Sequence, residues 1–232
     1  MKKLLILWLI TFSSVLFAQS QTQFVKELER KCNSKIAQSC IFLAGMYSAG
    51  IGITQDKTKA VEFYKKACDV NELKGCFSLA SLYSQGIGVS QDVFKSIELY
   101  QKACDGNYFD ACYNLAYMYD KGEGVRQDIF KSIELYQKAC NGRDALACNN
   151  LGAYYFKGEG VRQDIFKSAE LFQISCDGNE ALGCLNIGIA YLNGSGVRLD
   201  KSKALNFFGK SCDLKEQRGC ENYAILKKSG VN

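Results

Sequence analysis

Apolar residues return along this chain with the period of a helix, until glycines cut the pattern and it begins again. In LAYMYDKG (115–122) and in DIFKSIELYQKAC (128–140) they recur at spacings drawn from i, i+3, i+4 and i+7, as at Leu115, Met118 and Tyr119 and at Ile129, Ile133, Tyr136 and Cys140, the signature of a helix with one face turned to a core. The G-x-G-[VI] segment between the two stretches breaks the helix and supplies the positive φ of a helix end. The aspartate that follows suits an N-cap, its carboxylate accepting from the first free amides of the next helix. The pattern predicts two antiparallel helices joined by a short glycine turn.

That figure recurs in steps of 36 residues. FKSIELYQKAC stands at 94–104 and, letter for letter, at 130–140. Gly50, Gly86, Gly122, Gly158 and Gly194 form one column, and Gly52, Gly88, Gly124, Gly160 and Gly196 another. Tyr47, Tyr83, Tyr119, Tyr155 and Tyr191 form a third, read as packing because it shares a face with Leu115 and its equivalents; Asp56, Asp92, Asp128, Asp164 and Asp200 form a fourth. A single hairpin cannot bury its apolar face, whereas stacked hairpins can. The expected fold is all-α, an α-solenoid of about five and a half helix-turn-helix repeats. It forms a single domain over 19–232, with half-repeat caps at 22–35 and 215–232.

Cysteine adds a staple to each repeat. Twelve stand at Cys32, Cys40, Cys68, Cys76, Cys104, Cys112, Cys140, Cys148, Cys176, Cys184, Cys212 and Cys220, with gaps alternating between 8 and 28 residues. Pairing each with its neighbour eight residues on uses all twelve, whereas pairing across the longer gaps strands Cys32 and Cys220. Six local disulfides follow, each closing a nine-residue loop worth roughly 2.5 kcal/mol in the chain-entropy model. C-x7-C without histidine is not a zinc spacing, and no C-x-x-C redox motif occurs, so neither metal nor cofactor is expected.

Residues 1–18 read as a secretory signal, with Lys2 and Lys3 ahead of an apolar stretch and a small residue at Ala18; cleavage as late as Ser20 is the other option. The apolar stretch is shorter than a membrane span requires, and nothing later resembles one. A secreted or periplasmic protein is expected, free of the membrane after cleavage, in keeping with an even cysteine count. The whole chain carries +5, and about +3 without Lys2 and Lys3, spread among the acids. That distribution gives no footprint for nucleic acid.

The unit [LI]-[AG]-x-x-Y-x-x-G-x-G-V-x-x-D-x-x-K-[AS], as it stands at 115–132, resembles a Sel1-like repeat, a relative of the tetratricopeptide repeat. With paired cysteines eight apart it is similar to the Helicobacter cysteine-rich proteins. The resemblance implies two functions. Sel1-like repeats act as adaptors that hold proteins or peptides on a concave surface, and a monomer is expected. The cysteine-rich family also implies penicillin binding and β-lactamase activity, with a β-lactam or peptidoglycan fragment as ligand.

The residues give the enzyme little support. A serine β-lactamase needs S-x-x-K, and no serine here has lysine three residues on. The chain has no histidine, which removes the ligands of a zinc enzyme and the usual general base. Tyr191-Leu192-Asn193 and Lys228-Ser229-Gly230 match motif fragments short enough to arise by chance. Glu123 and Glu159 read as solvated turn charges, and no catalytic residue is assigned. The scaffold reading has one informative column: Asn114, Asn150, Asn186 and Asn222, each two residues after a first-helix cysteine. By the resemblance, this position lies where an amide hydrogen-bonds the backbone of an extended peptide, offering donor and acceptor together. Bonding to the neighbouring helix is the competing role. Three residues further on, Tyr117, Ala153 and Ile189 vary within the fixed frame, as a surface reading a non-repetitive ligand would. Tyr117 joins the four asparagines as the candidate ligand-binding set.

Overall fold

The computed structural model describes residues 20–231, in which every regular element is a helix. The secretory signal expected at 1–18 lies outside the described residues. The chain forms two units, the first ending at Gly106 and the second beginning at Asn107. The first unit contains α1 (20–33), α2 (Ala37–Ala49), α3 (Lys57–Asp69), α4 (Leu73–Gln85) and α5 (Val93–Asp105). The second contains α6 (Phe109–Lys121), α7 (Ile129–Asn141), α8 (Ala145–Lys157), α9 (Ile165–Asp177), α10 (Ala181–Asn193), α11 (Lys201–Asp213) and α12 (Gln217–Lys228). Each even-numbered helix is the first of a repeat. Within each unit helices pack on their sequence neighbours, and first helices also touch across repeats, α2 on α4, α8 on α10 and α10 on α12.

Local chemistry explains the hairpin. Each first helix through α10 ends on a left-handed glycine, as at Gly158 (φ 71°), whose N–H bonds back to the Tyr154 carbonyl. Five residues on, a glutamine side chain turns back to the same helix end: Gln55 on Ser48, Gln91 on Ser84, Gln127 on Asp120 and Gln163 on Phe156, each donating to the carbonyl at 2.8–2.9 Å. The aspartate then closes the turn twice. In the fourth repeat the Asp164 N–H donates to the Tyr155 carbonyl at 2.9 Å while its carboxylate caps α9 through the Lys167 N–H. The tyrosine column packs beneath the lysine of D-x-x-K. Lys59, Lys95, Lys167 and Lys203 hold their ammonium groups 4.3–5.2 Å from the ring centres of Tyr47, Tyr83, Tyr155 and Tyr191.

The second glycine of the turn is needed for another reason. A Cβ on Gly196 would lie 2.0 Å from the Ile165 carbonyl oxygen, and one on Gly88 would lie 2.3 Å from that of Lys57. At these two positions the turn rests backbone to backbone on the preceding repeat's second helix.

Consecutive hairpins are joined covalently where a second helix ends and the next first helix begins. Cys32–Cys40, Cys68–Cys76, Cys140–Cys148, Cys176–Cys184 and Cys212–Cys220 are bridged, with Cα separations of 4.8, 4.5, 4.7, 4.4 and 4.5 Å. Cys104 and Cys112 are disulfide-bonded as well. The halves that carry these bridges are buried to within a few per cent in most repeats, among side chains such as Leu43, Leu115, Leu151 and Leu185. A lysine reinforces the junction: Lys102 donates to the Cys68 carbonyl at 3.0 Å, and Lys210 to that of Cys176 at 2.7 Å. Both place a cation at the negative end of the preceding second helix.

Two details depart from the sequence pattern. Phe130 and Phe166, which continue the apolar figure, are more than 70% exposed on the first turns of α7 and α9. In the N-G-R loop at 141–143 between repeats, glycine does not take the left-handed conformation. Gly142 has φ −79°, and Arg143 after it has φ 68°. Glycine stands there because a Cβ on Gly142 would meet the Phe109 ring at 2.1 Å.

Candidate functional site

The glycine, tyrosine, aspartate and cysteine columns are consumed by packing, capping and bridging. Residues that break the 36-residue pattern in the third and fourth repeats are not, and they gather around one cavity. Tyr113 stands where neighbouring repeats have Phe77, Asn149 and Leu185; Asp120 stands where they have Ser84, Phe156 and Leu192; Tyr154 stands where they have Leu82, Met118 and Ala190. With Tyr117, Lys121, Tyr136, Asn150, Ala153, Lys157 and Glu159 they line a cavity of about 530 Å³ among α6, α7 and α8.

Helix geometry brings them together. Tyr113, Tyr117 and Asp120 lie at i, i+4 and i+7 on one stripe of α6. Asn150, Ala153, Tyr154 and Lys157 form the matching stripe of α8. Tyr136 comes up from α7 between them, its ring centre 5.8 Å from that of Tyr113 and 6.3 Å from that of Tyr154. The Tyr154 hydroxyl donates to the Asp120 carboxylate. Lys121 pairs with the other oxygen of Asp120 at 2.8 Å, with its ammonium 5.7 Å from the Tyr117 ring centre. Asp120 is well shielded, at 15% side-chain exposure, whereas Lys121 is half exposed. At the rim Lys157 and Glu159 stand 4.0 Å apart.

The hydroxyls stay protonated. Burial raises the Tyr136 phenol far above the ordinary tyrosine value, and the nearby Asn150 amide moderates the rise. Burial, followed by the adjacent Asp120 carboxylate, raises Tyr154 similarly. Burial raises Tyr113 as well, and the Asp120 contact raises Lys121. Tyr136 is 1% exposed and its hydroxyl makes no well-formed hydrogen bond, and the residue forms part of the cavity wall.

A second cavity of about 230 Å³ lies among α8, α9 and α10, lined by Asn186 and Ile189 together with Phe156, Phe172 and Asn193. Ala153 and Lys157 line both cavities. Of the sequence-selected residues, Tyr117 and Asn150 line the larger cavity and Asn186 the smaller. Asn114 on α6 and Asn222 on α12 are part-buried and line neither. Asn186 also donates to the Asn149 side chain at 2.9 Å, so one member of the column bonds to a neighbouring helix. The residues that sequence reasoning missed are Tyr113, Asp120, Lys121, Tyr136, Tyr154 and Lys157. Departure from the repeat was the signal for Tyr113, Asp120 and Tyr154; Lys121 and Lys157 occupy one column a repeat apart, and Tyr136 shares its column with Tyr100.

The motif fragments lead elsewhere. Tyr191 stacks on Phe207 at 5.5 Å beneath Lys203, and the Ser229 hydroxyl donates to the Leu226 carbonyl at 2.7 Å beyond the end of α12. Among the described residues no group of three or more His, Cys, Asp or Glu side chains is placed to hold a metal ion. No helix among them is long and apolar enough to cross a membrane.

Comparison with known proteins points the same way as the turn and cap chemistry. A protective antigen of uropathogenic Escherichia coli with an SLR fold is 26% identical and superposes with a TM-score of 0.85 over 90% of this chain. This chain spans 45% of that antigen's length. A Sel1 repeat protein of Oxalobacter formigenes is 27% identical, with a TM-score of 0.76 over 84% of this chain and 86% of that one. Cysteine-rich protein B of Helicobacter pylori is 30% identical over 56% of this chain and 94% of that one, with a TM-score of 0.46. No curated protein matches in sequence. The model of the Sel1 repeat matches five times in succession, at residues 37–71, 73–108, 109–144, 145–180 and 181–216. With five such repeats running end to end through its helical hairpins, the chain belongs to the Sel1 repeat family.

Proposed function

We propose that this protein is an extracytoplasmic scaffold that binds a protein or peptide segment along the first-helix face of its second unit. A Sel1 repeat solenoid fits a protein-binding role. The observation that carries the finer reading is the shared lining of the two cavities. Asn150 and Asn186, one repeat apart, and Tyr117, Ala153 and Ile189, the variable column, all line adjoining recesses. An extended peptide advances about 3.3 Å per residue, so three residues cover about 10 Å, the scale of a helix-pair repeat. Amides at fixed intervals then hold the backbone, and the variable positions read side chains. The disulfides favour an oxidising compartment, which is the ground for an extracytoplasmic location once the leader at 1–18 is removed.

The test is selection from a random linear decapeptide library on the oxidised protein, followed by titration of the selected peptides against Asn150→Ala/Asn186→Ala. Micromolar peptides that lose about tenfold or more in the double variant support the reading. Selected peptides that bind the variant equally well overturn it.

A further inference from the structure

We propose that the cavity among α6, α7 and α8 is a specificity pocket for a cationic side chain, an alkylammonium or guanidinium group, and that Lys121 fills the cation's place until the ligand displaces it. The proposal rests on the peptide-binding reading and names the side chain that the bound segment presents.

The walls already hold a cation. The Lys121 ammonium sits between the Asp120 carboxylate at 2.8 Å and the Tyr117 ring at 5.7 Å, so a shielded carboxylate and an aromatic face meet a positive charge together. Yet Lys121 is tethered at the mouth and half exposed, so it can rotate into solvent at little cost. The interior beyond it is walled by Tyr113, Tyr136 and Tyr154. The Tyr154 hydroxyl donates a hydrogen bond to Asp120, orienting the carboxylate and helping to keep it shielded.

The Tyr136 hydroxyl supplies the independent observation. It is buried, protonated and without a well-formed bond beside a cavity of about 530 Å³. A phenol oxygen can accept as well as donate, and an ammonium offers three donors and no acceptor. A ligand ammonium reaching past Lys121 would give one proton to Asp120 and one to the Tyr136 oxygen. The Asn150 amide oxygen can take a third. At the rim Lys157 and Glu159 offset each other, but with Lys121 swung out an anionic group inside would face Asp120 at close range. Tyr113, Tyr117, Asp120 and Tyr154 also differ from the residues at the equivalent positions of adjoining repeats, which keep the same hairpin without them.

The test uses the full oxidised chain and four probes: Nα-acetyl-lysine methylamide and its arginine, norleucine and glutamate counterparts, each followed by amide chemical shifts. The lysine or arginine probe is expected to shift the Tyr117, Asp120, Lys121 and Tyr154 amides, with the norleucine and glutamate probes silent. Asp120→Asn should weaken the cationic probe about tenfold, and Lys121→Met should tighten it about threefold by removing the resident competitor. Norleucine binding as well as lysine, or Lys121→Met weakening the lysine probe, overturns the assignment; the exposed Lys121 position keeps the test valid even if Asp120→Asn unfolds. An alanine heptapeptide and the same peptide with a central lysine separate the two readings. Alanine-peptide binding that is lost in Asn150→Ala/Asn186→Ala, with no gain from lysine, keeps the peptide reading and overturns the pocket. A lysine probe that behaves as expected, with no peptide gaining over it, supports the pocket and removes the peptide reading.

Discussion

Tyr136→Phe is expected to stabilise the protein. The Tyr136 ring sits between Tyr113 and Tyr154 at centre distances of 5.8 and 6.3 Å, and phenylalanine keeps that packing. Only the hydroxyl is lost, and it is buried without a well-formed partner. An unsatisfied buried hydroxyl costs about 1–3 kcal/mol, so its removal should return roughly 0.5–2 kcal/mol. The same column carries Phe172 and Phe208 in the next two repeats, so the hairpin accepts phenylalanine there. The assay is urea unfolding of the oxidised protein followed by far-UV circular dichroism, where the midpoint should rise at unchanged m. Asn150→Ala, made both in the unaltered protein and in the Tyr136→Phe variant, should give a coupling below about 0.3 kcal/mol. A loss of more than about 1 kcal/mol in Tyr136→Phe, or a coupling near that size, would refute the argument, because the hydroxyl would then be firmly bonded. The same substitution should weaken the cationic probe, so stability and binding are expected to move in opposite directions.

Other expectations follow from single contacts. Because burial raises the Tyr136 phenol above the unfolded value of about 10, its contribution is complete below pH 10 and lost as pH rises beyond it; the fall should be shallower in Tyr136→Phe by up to about 1.4 kcal/mol per pH unit, read from urea midpoints between about pH 9 and 11. Gly196→Ala should cost about 2–3 kcal/mol, since its Cβ would meet the Ile165 carbonyl at 2.0 Å with φ at +71°, whereas Gly45→Ala, with open space around the added carbon, should be neutral or stabilising; thermal melts compare the two. Lys210→Met should cost about 1 kcal/mol through loss of the bond to the Cys176 carbonyl, and hydrogen exchange should quicken at the end of α9.

Much of the fold was legible because each fixed residue meets the same neighbour in every repeat. Gly158 must be left-handed and Asp164 must cap α9, so both recur with their partners, as do the cysteines. Less was legible where a residue's reason lay in another helix. Nothing in the segment around Gly142 requires glycine, yet Phe109, more than thirty positions away, demands it. Phe130 reads as core because its own helix pattern is apolar, but the first turn of α7 presents it to solvent. The asparagine column and Tyr117 were visible as a period and its variation. The Asp120–Tyr154 contact was not, because residues 34 apart meet only when adjacent first helices set their relative rotation. Searching for departures from the period would have singled out Tyr113, Asp120 and Tyr154. Tyr136 follows its column in part and would have stayed hidden.

The position of the disulfides determines how the molecule comes apart when its backbone is cut. A protease that cleaves between Cys176 and Cys184 opens a peptide bond but releases nothing, since the bridge spans the nick. A cut in a glycine turn, for instance between Gly158 and Asp164, passes outside the Cys140–Cys148, Cys176–Cys184 and Cys212–Cys220 bridges, and there only non-covalent packing holds the pieces. One digest should therefore run as a short set of bands without reductant and as a longer ladder with it, with the extra bands marking cuts inside the cysteine loops. Exposure to thiols would turn tolerated nicks into fragmentation, so the protein's persistence among proteases depends on the redox state of its surroundings as well as on its fold.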